Sequence, residues 1–166
     1  MASFPLLPDA APVLSIHICA ALTAVCVTPA VLWRRRRDAL HKGLGYIWVS
    51  AMAVTALSAF GLSGSGLMGP VSPLHALSFL TLWGLWVAIR AIRRGDRHRH
   101  QATLRGLATY ALGVPMVLIF LPGRRFSNTF FPDTPWAGLM LAALAFAGIV
   151  AWRRWWAHPR ALSPER

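Results

Sequence analysis

Apolar residues run through the chain in five long blocks, and each block is closed by basic residues or by glycine and proline. The first extends from about Pro12 to Trp33 and stops at Arg34-Arg35-Arg36-Arg37. The second runs from about His41 or Gly43 to Leu62. It ends in Gly64-Ser65-Gly66-Leu67-Met68-Gly69-Pro70, a turn by its glycines and proline. The third begins near Pro73, a residue suited to a first helical turn, and ends at Arg90 to Arg94. The fourth covers about Ala102 to Leu121 and contains Pro115, where a kink is expected. The fifth covers about Pro135 to Trp152 and is stopped by Arg153-Arg154-Trp155-Trp156. The blocks do not alternate with polar positions. About 20 such residues cross roughly 30 Å of hydrocarbon as a helix. The pattern predicts an all-α integral membrane bundle with about five transmembrane helices.

Composition supports that class and bounds the domain count. Of 166 residues, 56% are hydrophobic and 13% charged, against about 25% charged in soluble domains. Five helices use most of the chain, which reads as a single transmembrane domain. The N-terminus carries no Lys or Arg before the first block, so the charged region of a signal peptide is missing and the block reads as a retained helix. Cys19 and Cys26 are seven apart on one helix face, too far for a disulfide, and read as packing residues.

The net charge of +12 does not indicate nucleic acid binding, because the basic residues sit at the ends of the blocks. Charge placed there sets topology and attracts anionic lipid headgroups. Fifteen of the seventeen Lys and Arg residues fall between the first and second blocks, between the third and fourth, or at the C-terminal end. Only Arg124 and Arg125 fall on the other side. This split predicts the bacterial inner membrane with the N-terminus outside and the C-terminus cytoplasmic. Trp33, Trp48, Trp136, Trp152, Trp155 and Trp156 fall near expected boundaries, as an aromatic belt would place them. The fifth block carries Gly138, Ala142, Ala143, Ala147 and Gly148. Their spacing suits close helix packing, or a docking face for a partner subunit.

An internal duplication brings in candidate chemistry. Shifting by 58 residues superimposes His17, Arg35, Arg36 and Asp38 on His75, Arg93, Arg94 and Asp96, and one further residue brings His41 onto His100. The repeats cover about 12–65 and 71–122, with the fifth helix at about 135–152. The expected core is four helices from a duplicated hairpin, related by an axis along the membrane normal, plus one extra helix. In an up-down bundle the first and third helices are diagonal, as are the second and fourth. His17 and His75 then match at the outer depth, and His41 and His100 match at the cytoplasmic boundary. A helix advances ~24 Å between the levels of His17 and Trp33 at about 1.5 Å per residue. Neutral imidazole is an axial ligand of haem iron. Two pairs at two depths therefore suit up to two b-type haems passing electrons across the bilayer, with all four histidines as iron ligands.

Each candidate has a plainer explanation. His17 and His75 could be polar contacts between helices, and His41 and His100 solvated headgroup-level histidines. His98 and His158 read as surface residues. Lys42, Arg105, Arg124 and Arg125 could contact haem propionates, or snorkel to lipid and set topology. Asp38 and Asp96 read as offsetting loop arginines. No nucleophile-base arrangement, phosphate loop or thiolate zinc site is present in the pattern, and no enzyme activity is assigned.

The pattern His17, arginines, His41-Lys42-Gly43-Leu44-Gly45-Tyr46, then Ile89 to Asp96 and His100, resembles a widespread bacterial family of uncharacterised multi-helix membrane proteins. The resemblance covers roughly residues 13 to 122. Its most specific part is Ile92-Arg93-Arg94-Gly95-Asp96-Arg97-His98-Arg99-His100. That family commonly has Met a few residues later, where this chain has Leu104. It is distantly similar to two-haem cytochrome b membrane domains, in which histidines from four helices ligate two haems.

The leading expectation is a haem b electron-transfer membrane protein with a redox partner. The second is a non-catalytic subunit or assembly factor of a larger membrane complex. The short aromatic loop Phe126 to Phe131 and the small residues of the fifth block motivate it, and the same histidines could there hold a bacteriochlorophyll. The third is a small transporter. It is weakened because Asp9, Asp38, Asp96, Asp133 and Glu165 all fall outside the blocks, while proton relays use membrane-embedded groups.

Overall fold

The computed structural model describes residues 12–34, 36, 38–62 and 73–157. The expectations placed on Asp9, Arg35, Arg37, the Gly64 to Pro70 turn, His158, Arg160, Glu165 and Arg166 lie outside the described residues. So do those placed on the side chains of Trp33, Arg125, Arg153, Arg154, Trp155 and Trp156. Everything regular among the described residues is helical. The helices are α1 (Pro12–Trp33), α2 (Ala39–Phe60), α3 (Pro73–Arg93), α4 (Arg97–Leu118), α5 (Arg125–Phe130) and α6 (Pro135–Ala157). α1, α3 and α6 begin at a proline, whose fixed φ and missing N–H suit the first helical position. α4 stops three residues after Pro115.

Among the described residues, four helices are long and apolar enough to cross a membrane: α1, α2, α3 and α6. α4 is as long, but Arg97, Arg99 and Arg105 occupy its first half and lower its mean hydropathy. The expected fourth span is thus present as a helix with a strongly basic entry. Large apolar side chains face outward along these helices. Leu22, Leu57, Phe79, Leu80, Leu141 and Leu144 are all exposed. Water does not tolerate so much contiguous apolar surface on a monomer, whereas lipid is its natural solvent and helices satisfy their own backbone there.

The chain divides into two compact units, Met1–Ala111 and Leu112–Arg166. In the first, α2 packs against both α1 and α3. Its buried face consists of Trp48, Ala51, Met52 and Ala56, the i, i+3, i+4, i+8 stripe of one helix side. Ala24 and Val31 meet this core from α1, Leu85, Ala88 and Ala91 from α3, and Leu104 from α4. The many alanines allow the helix axes to approach, which is how helices associate where lipid removes the hydrophobic drive. α4 joins by seating Leu107 against Gly84 of α3, where a Cβ would lie 2.8 Å from a Leu107 methyl.

Two sequence expectations change here. Trp48 is fully buried in the middle of α2, so it belongs to the core and not to an aromatic belt. Its indole N–H donates to Thr28 Oγ1 at 2.8 Å, which accounts for a buried indole. Trp136 and Trp152, at the two ends of the expected fifth span, are exposed as a belt requires. Cys19 and Cys26 share a face, as expected, but that face is exposed and packs no core.

In the second unit α5 packs on α6. The segment expected as an aromatic loop contains this short helix. Phe126 and Phe130 stack one turn apart with centroids 5.8 Å apart, the i, i+4 pairing that favours helix. Ser127 is fully buried and donates its hydroxyl to the Pro135 carbonyl at 3.4 Å. Gly138 of α6 receives the ring of Phe131, and Gly113 of α4 receives the ring of Phe146. Part of the small-residue face is therefore used within this unit. Ala143, Ala147 and Gly148 on α6 remain exposed.

Candidate functional site

Two caps build the basic end of the first unit and position its histidines. Asp38 is the N-cap of α2, with its Oδ1 accepting the His41 N–H at 3.0 Å. Asp96 plays the same part for α4, accepting the Arg99 N–H at 2.9 Å. Such side chains satisfy amide groups that lack a helical partner. The duplicated aspartates are thus equivalent as caps. Arg34 adds a fork to Asp38 through Nε at 3.1 Å and through Nη2. This bidentate bond, with the His41 amide, holds the Asp38 carboxyl at about 2, below its ordinary 3.8. The same pairing raises the Arg34 guanidinium.

The turn between α3 and α4 shows what the Ile92 to His100 element does. Gly95 has φ +80°, a left-handed conformation that costs other L-residues energy. The Gly95 N–H donates to the Ile92 carbonyl at 3.1 Å and the Asp96 N–H to the Ala91 carbonyl at 3.0 Å. That is the Schellman closure of a helix C-terminus. Glycine ends α3, and the next residue starts α4. Counted from the caps, His41 is the third helical residue and Arg99 its counterpart, so His100 sits one position later. The extra residue in the repeat turns His100 about 100° from the place His41 holds.

That rotation aims His100 at α3. Its Nδ1 lies 2.9 Å from the Ala88 carbonyl. A carbonyl only accepts, so Nδ1 carries the proton and the imidazole keeps Nε2 as its other nitrogen. His17 is held by a side-chain contact. Its Nδ1 lies 3.0 Å from Ser58 Oγ, while the single Ser58 hydroxyl proton is directed at the Val54 carbonyl, 2.7 Å away, with Thr55 O at 3.1 Å. The contact with Ser58 fixes the orientation of the His17 ring. Thr28 repeats this relay lower on the same interface, donating to Ala24 O at 2.7 Å and accepting from Trp48.

His75 lies at the start of α3 with its ring centroid 5.6 Å from that of Phe60. His17 and His75 thus meet the last turn of α2, at Ser58 and Phe60. They stand at one level, and those two positions are about 200° apart around α2. His41 is half-buried in the first turn of α2, roughly 26 Å along that helix from Ser58 at about 1.5 Å per residue. His17 and His75 lie toward one end of the unit, and His41 and His100 toward the other. Among the described residues, no three or more His, Cys, Asp or Glu side chains gather as a metal site. Lys42, Arg105 and Arg124 are exposed, and His98 is an exposed residue of the α4 entry.

Residues 14–155 match the family described as Predicted membrane protein (DUF2306). The chain belongs to that family. No curated protein and no solved structure matches it. The DUF2306 match extends from α1 through α6 and so includes both histidine levels and the fifth long helix. Sequence reasoning had no signal for Ser58 or for the Ala88 carbonyl. One serine in an apolar block and one backbone oxygen become legible as histidine partners only when α1, α2, α3 and α4 are packed.

Proposed function

We propose that this DUF2306 protein binds haem b by bis-histidine ligation at two depths and carries electrons across the membrane. His17 and His75 hold the outer haem, and His41 and His100 the inner one. The supporting observation is a contact at Nδ1 at each level: His17 Nδ1 lies against Ser58 Oγ and His100 Nδ1 against the Ala88 carbonyl, which orients each ring. Second-shell bonds of this kind are how proteins prepare ligating histidines. His17 and His75 would each offer one imidazole at the outer level, from sides of α2 about 200° apart. Lys42, Arg105, Arg124 and Arg125 are the cations available to propionates or lipid. When bound, the haem supplies one-electron redox chemistry. The chain's own residues fix the ring orientations and exclude water with the Trp48 core between the two levels.

The inner membrane, with the N-terminus outside, is the orientation that the charge split supports. A transporter is the weaker reading, because Asp38 and Asp96 are engaged as caps. A subunit role is supported by the exposed Ala143, Ala147 and Gly148 of α6. Co-purification with a larger complex from mild detergent is its test, and it is compatible with haem. The haem reading is tested by a reduced-minus-oxidised spectrum of protein purified from haem-sufficient cells. A b-type α-band supports it and its absence sinks it, while a pigment band in a phototroph would move the ligand to bacteriochlorophyll.

A further inference from the structure

α3 leaves the apolar core through a basic, cupped face. Trp86, Arg90 and Arg94 stand at i, i+4 and i+8 on one side of the helix. With Asp96 and Arg99 across the Gly95 turn they line an open groove on the surface. The Arg90 guanidinium lies 5.1 Å from the centroid of the Trp86 ring, a cation–π contact. Trp86 in turn leans on Trp83 at 5.1 Å, and both indoles are about half exposed, 49% and 56%. The groove is thus lined by three arginines and one aspartate, whose Oδ1 accepts the Arg99 N–H.

The geometry points to a site for the phosphodiester headgroup of an anionic phospholipid, with its acyl chains lying along Trp86 and Trp83. Arg94 and Arg99 offer forked donors matched to phosphate oxygens. From Arg94 to Trp83 is ~16 Å along the axis at about 1.5 Å per residue, a length over which the two indoles can line an acyl chain. Free phosphate shares the headgroup chemistry but would leave the indole wall unused. A zwitterionic lipid lacks the net charge the groove demands. This site is independent of the haem reading, since none of the four proposed ligands lines it.

The test is native mass spectrometry of the full chain in detergent, with phosphatidylglycerol, phosphatidylcholine or inorganic phosphate added. Wild type should retain phosphatidylglycerol over phosphatidylcholine, and millimolar phosphate should not displace it. Each arginine near a membrane surface is worth about fivefold in lipid affinity, so R94Q/R99Q should bind about 25-fold more weakly. R36Q, an exposed arginine outside the groove, should match wild type. R94K/R99K keeps charge without the forks and should fall between, which covers a failure of the Gln pair to fold. Equal retention of the two lipids by wild type overturns the site, as does R94Q/R99Q or R94K/R99K binding like wild type. Full displacement by phosphate overturns the lipid as its occupant.

Discussion

Replacing Gly95 by alanine should destabilise the protein through backbone conformation alone. The residue holds φ +80°, and a Cβ built on it meets nothing within 4 Å. No steric term is added, and the cost reduces to placing an L-residue in the left-handed region, about 1–2 kcal/mol. That corresponds to roughly a 5- to 30-fold fall in the folded-to-unfolded ratio. G95N should cost less than G95A, because asparagine visits this region more readily. Unfolding in mixed detergent and SDS micelles, followed by tryptophan fluorescence, reads the order: wild type, then G95N, then G95A. If G95A unfolds with wild type, or G95N is worse than G95A, the Schellman account of the Ile92 to His100 element is wrong.

Three further outcomes follow from neighbouring contacts. S58A removes the partner of His17 Nδ1 and should lower affinity for the proposed outer haem by about 10- to 100-fold, read by haem retention on a desalting column, with the proposed inner haem unaffected. G113A places a methyl against the rigid ring of Phe146 and should cost about 1–3 kcal/mol as overpacking, whereas G106A, with open space around it, should not, in the same micelle assay. The depressed Asp38 carboxyl contributes stability that is full above its unfolded value of 3.8 and is lost as pH falls through about 2. Its 13C carboxyl resonance should titrate near 2, and R34Q should move the midpoint up toward the ordinary value.

Much of the fold was legible because a membrane simplifies the sequence code. Block length alone located α1, α2, α3 and α6, and prolines marked three helix starts. The duplicated Asp38 and Asp96 were visible as a pair, but their role as caps was not. Their neighbouring arginines suggested ion pairing, which among the described residues Arg34 and Asp38 show. Trp48 was misplaced because an indole near a block end looks like a belt residue; its burial depends on the hydroxyl of Thr28 on another helix. The six residues of α5 carry no periodicity long enough to read. At the candidate site, sequence supplied the histidines and their levels. The oxygens that orient their rings come from helix packing, which a single sequence does not encode locally.

The haem content of the purified chain and its histidine variants tests the central claim most directly. Under the proposed ligation, two haems are expected per wild-type chain, and one in each of H17A, H75A and the H17A/H75A double variant, since both residues would serve the same haem. Wild type free of haem after haem-sufficient expression would contradict it, and so would additive losses in the double variant.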